Sequence, residues 1–185
     1  MLLEAFVSAL LLASPPDHEA SGRVLGEDGT PVVGAEVCEF VNGEKTGRCI
    51  STDEQGLYRI AKTPHPRLVV RAKGFVATTV DAAPLASPVT LRRAASLLVT
   101  VVDSETQKPV PAGRVRLDTS TGKHIGDVMP FNRSGVRIST LDPGVVFVRA
   151  EAEGYLKAGP TPVELAGGSE RTVTISMKKI GAKTR

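Results

Sequence analysis

The sequence predicts an all-β chain of two tandem antiparallel sandwiches, and three observations carry that expectation. First, the 185 residues contain 18 Gly and 13 Pro, only 4% aromatics and no Trp. Short strands punctuated by turns leave such a composition, and long helices do not. Second, no stretch beyond the N-terminus sets apolar residues at i, i+3, i+4 and i+7, the spacing of an amphipathic helix. Third, the chain says the same thing twice. Gly29 to Val37, Thr52 to Tyr58, Val69-Val70-Arg71, Gly74-Phe75 and Val89-Thr90-Leu91 are answered downstream. The answering segments are Lys108 to Val115, Ser134-Gly135-Val136, Phe147-Val148-Arg149, Gly154-Tyr155 and Val173-Thr174-Ile175. Pro31 and Pro109 stand 78 apart, as do Arg71 and Arg149, whereas Thr90 and Thr174 stand 84 apart, so insertions fall in loops. A period of this length means two domains of one fold.

The elements follow in order. Arg23-Val24-Leu25 ends at the turn Glu27-Asp28-Gly29. Ala35 to Phe40 runs to Asn42-Gly43, a hairpin signal because both residues tolerate positive φ. Arg48 to Thr52 returns, and Asp53-Glu54-Gln55-Gly56 turns again. Leu57 to Ile60, Leu68 to Ala72, Val76 to Val80 and Val89 to Leu91 complete seven short strands. In the second unit the strand-like runs are Leu97 to Val102, Arg114 to Leu117, Gly135 to Ser139, Val145 to Ala150 and Arg171 to Met177. The join from Leu91 to Leu97 has neither Gly nor Pro, which leaves little free linker. The expected division is a leader over 1–20, sandwiches over 21–94 and 95–179, and a basic tail over 180–185.

Leu2-Leu3 and Ala5 to Ala13 form an apolar run of signal-peptide length, too short to span a membrane as a helix. Glu4 stands where a positive residue is usual, so a plain N-terminal tail is the alternative. Export, to a periplasm, a surface or the medium, is the expectation. The formal charge is +3, and it becomes +6 without residues 1–20, which hold three acids and no Lys or Arg. Arg23, Arg48, Arg59, Arg71, Arg114, Arg116, Arg137 and Arg149 are scattered singly through strand-like runs. Scattering of this kind reads as the solvated faces of half-buried strands, and no nucleic-acid partner is expected.

Catalytic and metal patterns do not emerge from the residues. The three histidines, His18, His65 and His124, lie far apart, and no His-x-x-Glu or Cys-x-x-Cys spacing exists. No serine sits in a Gly-x-Ser-x-Gly elbow. Asp53 and Glu54 read as turn formers rather than as a carboxylate pair. No enzyme, metal or cofactor is expected. Cys38 and Cys49 flank the hairpin, and if Val37 and Ile50 face the core, parity turns both thiols to the opposite face of adjacent strands. A disulfide follows in an oxidising compartment, and two free thiols in a reducing one. Phe131, beside Pro130, stands out as a loop aromatic and a candidate partner contact; the other reading makes it a cap on the second core.

Gly22-x-Val24, Pro31-x-x-Gly34-Ala35-x-Val37, Thr52-Asp53-Glu54-x-Gly56-x-Tyr58 and the strand ending at Gly74-Phe75 together resemble the carboxypeptidase regulatory-like domain. The second unit keeps Pro109, Gly113, Val115, Gly135, Gly154 and Tyr155 but has Phe131-Asn132-Arg133-Ser134-Gly135 in place of the Thr-Asp turn. The resemblance covers about residues 21–179. It implies a transthyretin-like, seven-stranded Greek-key sandwich in each unit, and an accessory role in secreted or surface proteins. In the motif, Gly34 is expected to let a strand start close to its neighbour, and Gly56 to supply positive φ. The function expected is a non-catalytic, exported interaction protein with a protein or cell-surface partner and no membrane span. A carbohydrate-binding module is the first alternative, and an accessory subunit of a hydrolase or transport system the second.

Overall fold

The computed structural model describes residues 20–41, 44–60, 67–81 and 88–181. Residues 1–19, the Asn42-Gly43 turn, His65 and the end of the basic tail, all singled out above, lie outside the described residues. Among the described residues the chain is all β, with fourteen strands and no helix. In the first half these are β1 (Ala20–Gly26), β2 (Glu36–Val41), β3 (Glu44–Ser51), β4 (Leu57–Ile60), β5 (Arg67–Arg71), β6 (Thr78–Asp81) and β7 (Val89–Leu91). The second half holds β8 (Ala95–Asp103), β9 (Ala112–Asp118), β10 (His124–Asn132), β11 (Val136–Leu141), β12 (Gly144–Glu151), β13 (Ala158–Leu165) and β14 (Glu170–Met177).

The strands form four sheets, ordered β4-β1-β7, β3-β2-β5-β6, β11-β8-β14 and β10-β9-β12-β13. Adding seven to each strand number of the first two orders gives the other two. In each half the first strand is central in its sheet. It pairs antiparallel with the fourth strand of its half and parallel with the last: β1 with β4 and β7, and β8 with β11 and β14. Only Arg92, Arg93 and Ala94 separate β7 from β8.

Alternation decides what is buried. β8 reads buried and half-buried in strict turn, so Leu97, Val99 and Val101 enter one core while Leu98 and Thr100 face outward. Each core lies between two sheets. Val24, Ile60 and Leu91 of one sheet meet Val37, Leu68 and Val70 of the other in the first cluster. In the second cluster Leu97, Val99 and Ile175 meet Val115, Leu117 and Val148. The two clusters share no residue. All eight strand arginines of the scattered set are exposed, as their parity requires.

Two strands of the second half were not legible. β13 carries Pro160 and Pro162, which cannot donate to a ladder, yet it is an edge strand, where proline is tolerated. β10 shifts register between Ile125 and Met129, with Gly126 at φ 65°, and the shift breaks the two-residue period. It is β10, not a loop, that carries Phe131.

Two motif glycines divide the expected roles differently. Gly34 has φ 70° and open space where a Cβ would go, so it serves the backbone conformation and not a close approach. Gly56 has φ 73°, and a Cβ there would meet the Val24 carbonyl at 2.5 Å. Gly34→Ala should therefore cost about 1–2 kcal/mol, the penalty of left-handed backbone alone. Gly56→Ala should add about 1–3 kcal/mol of overpacking, read as the larger fall in chemical-denaturation midpoint.

Candidate functional site

The turns that follow β3 and β10 show how chemistry-bearing side chains are used here. Asp53 accepts hydrogen bonds from the amides of Gln55 (2.9 Å) and Leu57 (2.8 Å), so it is the turn former expected. Thr52 before it is buried; its hydroxyl donates to the Val32 carbonyl (2.6 Å) and accepts from the Ala35 amide (2.8 Å). In the second half Asn132 accepts from the Ser134 amide at 2.8 Å and replaces Asp53 as the cap. Phe131 then stands in the place of Thr52.

That place is interior. Phe131 is 4% exposed and belongs to the second core, so the expectation of a surface contact is corrected. The reason is Gly113, its partner on β9. A Cβ at Gly113 would lie 2.5 Å from the Phe131 ring, so the missing side chain is the room the ring occupies. Tyr58 uses Gly22 the same way, with its hydroxyl 2.7 Å from where a Cβ would be. Phe147 is half-buried opposite Asp118. The signal for Phe131 was present in the alignment with Thr52 and in a glycine on the neighbouring strand.

The most organised polar cluster lies on the outer face of β9, β10 and β12. Arg116 and Arg149 are directly opposite each other across the ladder, a placement that repels. Asp118, with its side chain 3% exposed, lies between them. Arg116 Nε donates to its Oδ1 at 2.7 Å, and Arg149 Nε to its Oδ2 at 2.8 Å. The Arg116 hydrogen bond, aided by Arg149, outweighs burial and holds the Asp118 carboxyl below the ordinary aspartate range. His124 approaches from β10: Nδ1 lies 2.8 Å from the Leu117 carbonyl, which can only accept, so the ring proton sits there. Nε2 is buried without a partner. Beside the cluster Lys157 pairs with Glu151 at 2.7 Å and, chiefly through that hydrogen bond, lowers the Glu151 pKa. Chemically the arrangement is a fixed pair of guanidiniums whose outer edges reach solvent. It can hold an acidic group of a partner. A carboxylate held ionised is a weak proton acceptor, so Asp118 is poorly suited to general-base work.

An open cavity of about 830 Å³ runs beside β1 and β4, lined by Ser21, Arg23, Leu57, Tyr58 and Arg59 among others. The Tyr58 hydroxyl is buried without a partner, and burial raises its pKa.

Cys38 and Cys49 face each other across β2 and β3 and form a disulfide. Cys38 is only 1% exposed, although parity places it on the face opposite the core residue Val37. Glu36 lies close to both sulfurs, but the disulfide leaves no thiolate to bind a metal there. Every described aromatic ring is buried or half-buried; Phe75, for instance, lies under the Arg93 guanidinium at 5.5 Å.

No family model matches the chain, and no curated protein matches it. Among solved structures it is similar to the Bacillus anthracis TIE protein, with 15% identity and a TM-score of 0.41 over 88% of this chain and 34% of that one. It is also similar to the streptococcal ancillary pilin, with 14% identity and a TM-score of 0.42 over 88% of this chain and 62% of that one. A third similarity is to GBS52, the minor pilin of Streptococcus agalactiae, with 18% identity and a TM-score of 0.42 over 91% and 98% of the two chains. The chain thus spans about a third of the first protein and less than two thirds of the second. Similarity at this level assigns neither family nor role.

Two outcomes follow from the geometry. Phe131→Ala should cost about 3–5 kcal/mol in a denaturant melt, as a core aromatic does; a surface aromatic would leave the midpoint unchanged. Asp118 has a lowered folded pKa, so its contribution is present above the ordinary aspartate value and is lost as pH falls through the folded one. Asp118→Asn should therefore flatten the fall in melting temperature below about pH 4, while a slope equal to that of the parent would contradict the assignment.

Proposed function

We propose that the chain is an exported, non-catalytic interaction protein made of two carboxypeptidase regulatory-like sandwiches, spanning 21–94 and 95–179. On this reading each is a seven-stranded Greek-key sandwich of transthyretin type. The repeated strand order and the two separate cores support the division. Its partner is a protein or a cell surface, met through strand faces and not through a cleft.

The observation that carries the reading is the Cys38–Cys49 disulfide. Thiols placed directly across a hairpin oxidise outside the reducing cytosol and stay reduced within it. The use of the acidic groups supports the non-catalytic part. Asp28, lowered to about 2 chiefly by the Thr30 hydroxyl, and Asp103, lowered chiefly by the Thr106 amide, are both committed to turns. A carbohydrate platform would need an exposed flat ring, and the described rings are packed instead.

Protein made in an oxidising compartment should show no reactive thiol before reduction. Reduction should lower stability by about 2–3 kcal/mol, the loop-entropy value for so short a closure. Two reactive thiols in protein recovered from its own cells would overturn export and, with it, the extracellular role.

A further inference from the structure

The two halves treat one position of the repeat in opposite ways. Arg71 and Arg149 stand at the same place in β5 and β12. Across the ladder from Arg71 is Glu36, an opposite-charge pair of the kind that stabilises a sheet. Across from Arg149 is Arg116, a pair that repels. Asp118 offsets the repulsion, since each of its oxygens accepts one Nε–H, at 2.7 Å from Arg116 and 2.8 Å from Arg149. Two cations then share one anion, and one positive charge of the trio is left over. Glu151, the carboxylate of β12 on the same face, has a cation of its own in Lys157 at 2.7 Å.

The trio is layered. The Asp118 side chain lies beneath at 3% exposure, while those of Arg116 and Arg149 are 49% and 47% exposed. With each Nε turned to Asp118, the terminal amino groups of the two guanidiniums are left to face solvent. A guanidinium is a planar fork that grips two oxygens of an anion at once. A carboxylate has two oxygens in one plane, and a single fork fills them. Two forks brought in from opposite strands call for more: a group with three free oxygens set around one centre.

We propose that Arg116 and Arg149 together bind a sulfate or phosphate monoester carried by the partner. The inference rests on the reading above that the partner is met through strand faces, and it names the chemistry that this face recognises. Asp118 is a positioning residue: it does not touch the ester, but it fixes both guanidiniums side by side against their own repulsion. The pre-organisation lowers the ordering cost of binding.

Titration of the full chain at neutral pH and constant ionic strength, followed by nuclear magnetic resonance of the arginine Nε–H signals, tests it. Methyl sulfate, dimethyl phosphate and acetate each carry one negative charge, but of the three only methyl sulfate has three free oxygens. Methyl sulfate should shift the Arg116 and Arg149 signals with a dissociation constant about tenfold below that of acetate or dimethyl phosphate, the worth of one charge-assisted hydrogen bond. Methyl phosphate should shift the same signals, and the tighter of the two monoesters identifies the ester. Arg116→Lys and Arg149→Lys keep the charge but lose the fork, so each should weaken methyl sulfate binding about tenfold in protein that circular dichroism shows to be folded. Asp118→Asn removes a negative charge and yet should also weaken binding, because the guanidiniums are no longer held. Arg171→Gln, at an exposed position of β14, should leave binding unchanged. Three results would overturn the inference. They are acetate binding as tightly as methyl sulfate, inorganic sulfate binding where both monoesters fail, and tighter binding by Asp118→Asn, which would leave charge attraction alone at work. The exported, non-catalytic reading is scored separately by its thiols, so the two failures are distinguishable.

Discussion

Each half of this molecule is closed by one pairing, the parallel contact between its first strand and its last. β1 meets β7 over three residues and β8 meets β14 over eight. Parallel strands cannot be joined by a tight turn, so each pair brings together the two ends of its half across the whole intervening chain. Contacts of this kind carry a large loop-closure entropy and make folding slow relative to local hairpins. The reward is that β1 and β8 become central strands, hydrogen-bonded on both sides, and the core residues they carry are sealed. Closure of the first half also sets where the second begins, because three residues after β7 the chain is already β8.

Small residues set the details of packing. Gly22 and Gly113 give Tyr58 and Phe131 their room, so two large rings enter buried cores otherwise built from Val, Leu, Ile, Ala and Met. The turns that follow β3 and β10 are capped by different residues, Asp53 and Asn132, with the same result. Thr52 and Phe131 then fill equivalent interior sites by opposite means. The first satisfies two backbone groups, and the second excludes water from a larger volume. The outer faces are free to differ, and the Arg116–Asp118–Arg149 clamp has no counterpart in the repeat motif.

Much of this was legible. The repeat, the seven strands of the first half, the Asp53 turn and the facing of Cys38 and Cys49 all follow from spacing and parity, which depend on neighbours in sequence. What was missed depends on partners across a sheet. β10 hid behind a register shift, and β13 behind two prolines that only an edge position allows. Phe131 read as a loop aromatic because the glycine that accepts it lies on another strand. Asp118 drew no notice in the sequence, since no local pattern reveals that arginines on two strands converge on it. Gly34 was assigned the wrong one of glycine's two uses, which only the surrounding space distinguishes.

The proposed division makes the two halves independently closed units. Residues 21–94 and 95–179 expressed as separate chains test that directly. Each should give a β-type circular dichroism spectrum and a single cooperative melt, because each contains its own first and last strands and its own core. A fragment that is unfolded alone, and that folds only on mixing with the other, would contradict the claim and place the two halves around one shared core.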